Sequence, residues 1–200
     1  MKLYFVTTND VKAAESLAFF AERKVPSEPK IELCLVKHDV QEIMNPNLEA
    51  VVKSKALEAY RYLLQPCCVE HGGLFFEALP DLPGPLGRLI WNAVGERMCG
   101  FLGDHDSRRA SARAVIGYCD GRRISVYKGE TRGEVAQSAR GEYNKSNWDP
   151  IFIPEGSEET YGEMGFEKKR QTSPLIKAWE LFLKEGHPTD AGAIEIANQG

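Results

Sequence analysis

Cys67-Cys68-Val69-Glu70-His71-Gly72-Gly73-Leu74-Phe75-Phe76 places two ionisable residues and two glycines within an apolar run. The run reads as a buried strand that delivers chemistry to a turn, because glycine permits positive φ where a strand ends and side chains there project into a crevice. Glu70 can then bind a divalent metal, and His71 can take a proton near neutral pH. The same pair also suits a solvated turn with no chemistry, and the stretch alone leaves both readings open.

On its N-terminal side, Lys2-Leu3-Tyr4-Phe5-Val6 is a compact β-prone run. The polar Thr7-Thr8-Asn9-Asp10 and a helical pattern through Lys12, Ala13, Ala14, Leu17, Ala18, Phe20 and Ala21 follow it. Thr8, Asn9 or Asp10 can cap this helix, and its first backbone N–H groups, with the hydroxyls and Lys12, can hold a phosphate; plain capping is the competing reading. Residues 31–36 read as a second strand, and the polar segment after it carries a second candidate carboxylate, Glu42. From Asn47 the spacing of Leu48, Val51, Val52, Ala56, Ala59 and Leu63 predicts a long amphipathic helix. Lys55 stands near its apolar border, able to reach a cleft or simply to snorkel at the edge of the core.

On the C-terminal side, Ala78-Leu79-Pro80-Asp81-Leu82-Pro83-Gly84-Pro85 excludes helix and central strand, since its prolines remove backbone donors; an ordered loop or lobe junction is expected. Residues 86–101 return to a helical pattern with Arg88 near the start. Residues 109–119 and 124–127 read as strands joined by an Asp120-Gly121 hairpin turn, and 128–135 as a further turn and strand. In Trp148-Asp149-Pro150-Ile151-Phe152 the indole can stack on a base and the carboxylate can hydrogen-bond ring nitrogens; a core tryptophan with a turn aspartate fits equally. Residues 175–184 form a last helix, and the tail from Gly186 is small and polar enough to fray.

A chain of 200 residues, 42% of them hydrophobic, can bury a sizeable core as one domain. A formal net charge of -4 argues against duplex nucleic acid as the partner but permits a local basic cleft for a small phosphorylated ligand. The cysteines at 34, 67, 68, 99 and 119 are odd in number and lack zinc spacing, and they resemble buried thiols of a reducing compartment. The N-terminus does not have the length of a signal peptide, and no run approaches membrane-spanning length, so a cytoplasmic protein without membrane partners is expected.

Taken in order, these segments resemble the inosine/xanthosine triphosphate pyrophosphatase family, which cuts noncanonical purine nucleoside triphosphates to monophosphate and pyrophosphate. Thr7-Thr8-Asn9-Asp10-Val11-Lys12 is similar to its phosphate loop. Glu42 and the Lys55-Ala56 helix resemble its glutamate segment and following helix. Val69-Glu70-His71-Gly72-Gly73-Leu74 stands where the family has an acidic pair, a hydroxyl residue, glycine and leucine. Leu82-Pro83-Gly84-Pro85, Trp148-Asp149-Pro150-Ile151-Phe152 and a turn at Thr160-Tyr161-Gly162-Glu163-Met164 match three further segments, so the resemblance covers nearly the whole chain.

The resemblance implies an α/β fold: a mixed twisted β-sheet with flanking helices, in two lobes around a central cleft, working as a homodimer. It implies Mg²⁺ or Mn²⁺ on Glu42 and Glu70, catalysis by Glu70 and His71, and a nucleotide held by Thr7, Thr8, Asn9, Lys12, Lys55, Arg88, Trp148, Asp149, Lys169 and Ser173. The departures fall on the chemistry. His71 replaces the second acidic residue and Gly72 the neighbouring hydroxyl. Thr8 replaces a glycine, Ser146-Asn147 a Phe-Gly pair with a purine-stacking ring, and Pro174-Leu175 a His-Arg pair. Two functions follow: an active, divergent nucleotide pyrophosphatase with His71 as base or water-orienting group, and a nonhydrolytic relative that binds nucleotide or a protein partner.

Overall fold

A computed structural model describes residues 2–23, 31–142 and 148–185. Their elements in order are β1 (Lys2–Val6), α1 (Asp10–Glu22), β2 (Glu32–Val36), α2 (Leu48–Leu63), β3 (Cys67–Phe76), β4 (Leu79–Gly84) and α3 (Gly87–Val94). A 3₁₀ helix (Gly95–Phe101) leads to β5 (Arg109–Cys119) and β6 (Ile124–Val135), and another (Asp149–Ile151) leads to β7 (Phe152–Pro154), α4 (Tyr161–Arg170) and α5 (Pro174–Lys184). The expected tail from Gly186 and the Ser146-Asn147 departure lie outside the described residues.

The strands form one mixed sheet in the order β2-β1-β3-β5-β6-β7, with β4 on β3 beside this path. β1 runs parallel to β2 and β3, and the other pairings are antiparallel. This is the expected α/β architecture. β3 is its hinge: one edge pairs with β5 from Cys67 through Phe76. The other edge meets β1 only at Cys67 and Cys68 and β4 only from Leu74 onward, so among the described residues no strand faces 69–73 there. A cleft opens at that gap.

Three apolar clusters hold the walls. On one face of the sheet Leu3, Phe5, Ile116, Tyr118 and Tyr127 pack under α5 through Trp179 and Phe182. On the other, Val6, Val69 and Val115 pack under α2 through Val52, Ala56 and Ala59. The third, with Leu74, Phe76, Trp91, Met98, Ile151 and Phe152, builds the second lobe. Each buried side chain of this size is worth about 1.5–3 kcal/mol. Close approach depends on missing side chains: a Cβ on Gly117 would stand 2.5 Å from Val52, and one on Gly129 1.8 Å from the Pro174 carbonyl.

Several expectations are corrected. The glycines after His71 do not end the strand, because β5 pairs with Gly72 and Gly73 and carries the chain on to Phe76. The proline-rich segment is edge strand rather than loop; Pro83 pairs with Phe75 at the sheet margin, where a missing N–H is tolerated. Residues 124–135 form one strand, not two. The turn at Thr160 begins a helix, closed by a capping box between Thr160 and Glu163. In α1 the buried residues are Ala13, Glu15 and Ser16, while Leu17 is exposed. Ser16 belongs inside because its hydroxyl accepts the Trp179 indole N–H at 2.9 Å.

Candidate active site

Two connected chambers occupy the gap beside β3. The first is lined by Thr7, Thr8, Asn9, Lys12, Glu42, Lys55, Glu70, His71 and Arg88. The second is lined by Glu15, Trp148, Asp149, Tyr161, Lys169 and Ser173. Asn9, Lys12, Glu70, Gly72 and Arg88 border both. The second spans about 660 Å³ when the space open to solvent is included.

The first chamber is built on unspent backbone groups. Lys55 projects from α2 into the gap and donates to the Glu70 backbone carbonyl at 3.1 Å, which no strand satisfies there, and to Glu42 Oε1 at 2.6 Å. Lys12, from the first turn of α1, pairs with the Glu70 carboxylate, whose side chain is only 2% exposed. Asn9 is the cap of α1: its Oδ1 accepts the Val11 and Lys12 N–H groups, and its own N–H donates to Thr7 Oγ1. Those donors are therefore spent within the loop, and the exposed Thr8, the Asn9 side-chain amide and Lys12 remain to meet an anion.

His71 is fixed from both sides. Nε2 lies 2.9 Å from the Pro85 carbonyl oxygen and Nδ1 3.4 Å from Glu42 Oε1. A carbonyl and a carboxylate both accept, so each ring nitrogen of His71 faces an acceptor and the tautomer sets which of them it donates to. The hydrogen bond from His71, with help from Lys55, holds the Glu42 carboxyl well below the usual carboxylate range against the opposing effect of burial. Both ring nitrogens of His71 thus lie against protein acceptors at the floor of the first chamber.

Glu42 and Glu70, the expected metal ligands, are engaged with these cations. Among the described residues no group of three or more His, Cys, Asp or Glu could hold a metal ion. Two carboxylates in one chamber are nevertheless the number that commonly suffices for Mg²⁺ held jointly with substrate phosphates.

In the second chamber Lys169, at the end of α4, meets Asp149 Oδ2 at 2.5 Å and lies 5.3 Å from the Tyr161 ring centroid. Trp148 rests against Gly87, where a Cβ would stand 3.6 Å from the indole nitrogen. Ser173 caps α5, its hydroxyl accepting the Leu175 N–H. Glu15 is the residue that the sequence reading missed. It is 5% exposed, and its Oε1 has no hydrogen-bond partner. Burial raises its carboxyl above the ordinary value, against the opposing pull of Lys169 and Ser173. The signal was its spacing, three residues beyond Lys12 and hence on the same helix face. All thirteen expected site residues thus border this cleft.

The Ham1 family model matches residues 3–185. A dITP/XTP pyrophosphatase of Methanopyrus kandleri is 36% identical over 186 residues, 92% of this chain and 95% of that one. One of Pyrococcus horikoshii is 33% identical over 92% of this chain and 96% of its own. Among solved structures, the Ham1 protein of Staphylococcus aureus superposes with a TM-score of 0.73 at 22% identity, covering 92% of this chain and 99% of that one. A HAM1 protein of Coxiella burnetii gives 0.73 at 20% identity, covering 93% and 100%.

Proposed function

The chain belongs to the Ham1 family, and from that membership and its two-chambered cleft we propose that it is a nucleoside triphosphate pyrophosphatase acting on deaminated purine nucleotides. The observation that carries the reading is the continuity of a cation-rich chamber, around Lys12, Lys55 and Arg88, with the Asp149–Lys169 pair. The names of the relatives, dITP/XTP pyrophosphatase, agree with it.

The chemistry follows from where charge must develop. Water attacks the α-phosphorus, a new P–O bond forms, the α–β bridging bond breaks, and pyrophosphate leaves with the bonding electrons. Lys12, Lys55 and Arg88 stabilise the charge gathering on the leaving group. Glu70, at the junction of the chambers, receives the proton of the attacking water, and Glu42 holds Lys55 and His71 in place. A divalent ion bound with the phosphates would be held by Glu42 and Glu70 and would supply further neutralisation of phosphate charge.

At the other end, hypoxanthine and xanthine offer a carbonyl at C6 and a hydrogen on N1. Lys169 donates to that oxygen and Asp149 accepts that hydrogen, while adenine presents the opposite pattern at both positions. Trp148 supplies an apolar wall. Glu15 and Ser173 lie within the same chamber and complete its polar lining.

The homodimer belongs to the same proposal: light scattering at twice the 22.3 kDa chain mass supports it, and a monomer peak removes it. A reducing, cytoplasmic setting is proposed from five free cysteines, four of them buried. To test the activity, the protein is incubated with canonical and deaminated nucleoside triphosphates while pyrophosphate and orthophosphate are followed separately. Pyrophosphate from dITP or XTP supports the reading. Ligand-induced thermal stabilisation without turnover marks a nonhydrolytic binder instead.

A further inference from the structure

We propose that His38 is a specificity-determining residue: its imidazole donates a hydrogen bond to the terminal phosphate of a nucleoside triphosphate, and Tyr62 positions the ring by stacking on it. The inference rests on the nucleotide reading above and goes beyond it, because that reading assigns no group that tells a triphosphate from a diphosphate.

β1 and β2 leave the sheet side by side. Val6 pairs with Val36, and the Thr7 N–H donates to the Val36 carbonyl at 3.0 Å. Thr7-Thr8 therefore opens the phosphate loop on one segment while Lys37-His38 continues beside it on the other. His38 borders the first chamber together with Thr7, Thr8 and Lys12 and takes no part in the second. A nucleotide whose base lies in the second chamber, with Asp149 and Lys169, extends its phosphates into the first. Its terminal phosphate is then the group furthest from the base, on the side where His38 stands.

The ring is fixed without engaging its nitrogens. Its centroid lies 3.7 Å from that of Tyr62, and the two planes are within 4° of parallel. Tyr62 is 57% exposed, so no surrounding core holds the pair and the stack itself aligns the imidazole. Tyr62 stands seven residues beyond Lys55 on α2, about two turns along the same face. Lys55 holds Glu42 at 2.6 Å, so one helix face steadies both ends of the segment 38–42, and Lys37 ties its start to Asp10 at 2.8 Å. Among the described residues neither nitrogen of His38 has a hydrogen-bond partner. A neutral imidazole always carries one N–H, which either tautomer can turn to a phosphate oxygen, so the contact does not depend on titration. A hydrogen bond to an anionic oxygen is among the stronger ones, and a diphosphate leaves it unmade.

The test follows dITP and dIDP with the full chain, dIDP yielding dIMP and orthophosphate. Wild type is expected to favour dITP in kcat/KM, and the lack of such a preference overturns the proposal. His38→Phe keeps the stack and removes the donor, and it should lower the ratio of kcat/KM for dITP over dIDP by about tenfold. His38→Gln supplies an amide N–H and should recover part of the ratio. Tyr62→Leu should lower it in the same direction, while Tyr62→Phe, which keeps the stack, holds the wild-type value. Circular dichroism checks the folding of each variant. A ratio unmoved by His38→Phe, or moved equally by the Phe and Gln variants, overturns the donor role, and a ratio that Tyr62→Leu leaves alone overturns the positioning role. A binding arm needs neither base nor turnover: calorimetry of inorganic tripolyphosphate should give a Kd about tenfold weaker for His38→Phe than for wild type, and an equal Kd overturns the contact. That loss without release of pyrophosphate from dITP or XTP supports the contact and refutes the pyrophosphatase reading. Wild type that binds no tripolyphosphate and cleaves no dITP overturns both, and if His38→Phe does not fold, the two Tyr62 variants decide.

Discussion

Replacing Glu15 by glutamine raises the stability of the protein at neutral pH, and the gain fades in acid. Glu15 is 5% exposed with one carboxyl oxygen lacking a hydrogen-bond partner, and burial lifts its carboxyl above the ordinary value of 4.5. Between the ordinary value and the raised one the folded state binds more protons than the unfolded chain, so stability falls as pH rises through that window. Above the window the folded protein carries the full cost of an ionised, poorly satisfied carboxylate. Glutamine keeps the shape and removes the charge. An unsatisfied buried polar group costs about 1–3 kcal/mol, and since Lys169 and Ser173 offset part of the penalty, a gain near the lower end, about 1 kcal/mol, is expected. For a chain of this size that is a rise of roughly 2–4 °C in Tm. Thermal unfolding of wild type and variant, repeated from neutral pH to below 4.5, provides the assay. A variant less stable than wild type at neutral pH would show that Lys169 and Ser173 outweigh the desolvation of Glu15, and the reasoning would fail.

Gly72→Ala tests the junction of the chambers. The new Cβ stands 2.9 Å from Glu70 Oε1 and 3.2 Å from the Arg113 carbonyl, so the Glu70 carboxylate must shift at the border of the two chambers; kcat/KM is expected to fall about tenfold with circular dichroism unchanged. Lys12→Met strands a carboxylate that is 2% exposed, and urea denaturation should report a loss of about 3 kcal/mol together with weakened triphosphate binding. Asp149→Asn breaks the pair with Lys169 and replaces an acceptor with an amide that can turn either face to the base. The ratio of kcat/KM for dITP over dATP should drop by about tenfold to 10²-fold, and an unchanged ratio would remove Asp149 from base recognition.

The sequence was most legible where local pattern and tertiary environment agree. The first strand, the capped helix after Asn9 and the hairpin at Asp120 carry their own signals of alternation, cap and turn, and the structure has them where expected. It was least legible where a neighbour from elsewhere in the chain decides. Gly129 reads as a turn residue, yet it lies within a continuous strand because the start of α5 presses on its backbone. Gly72 and Gly73 read as a strand end, yet β5 pairs with both. Leu17 looks like core and Glu15 like surface, and the reverse holds because Ser16, between them, is turned inward to the Trp179 indole.

The site shows the same division. Lys12, Glu42, Lys55 and Glu70 were expected at one place from the resemblance, and the gap in strand pairing beside β3 brings them there. The anchoring of His71 was beyond the reach of residue type alone. It depends on the Pro85 carbonyl, 14 residues away and contributed by the loop that follows β4.

The most direct test of the account is a reaction with dITP in heavy-oxygen water, with mass spectrometry of both products. Attack at the α-phosphorus predicts one heavy oxygen in the nucleoside monophosphate and none in the pyrophosphate. Label in the pyrophosphate, release of orthophosphate alone, or no turnover of dITP and XTP would contradict it.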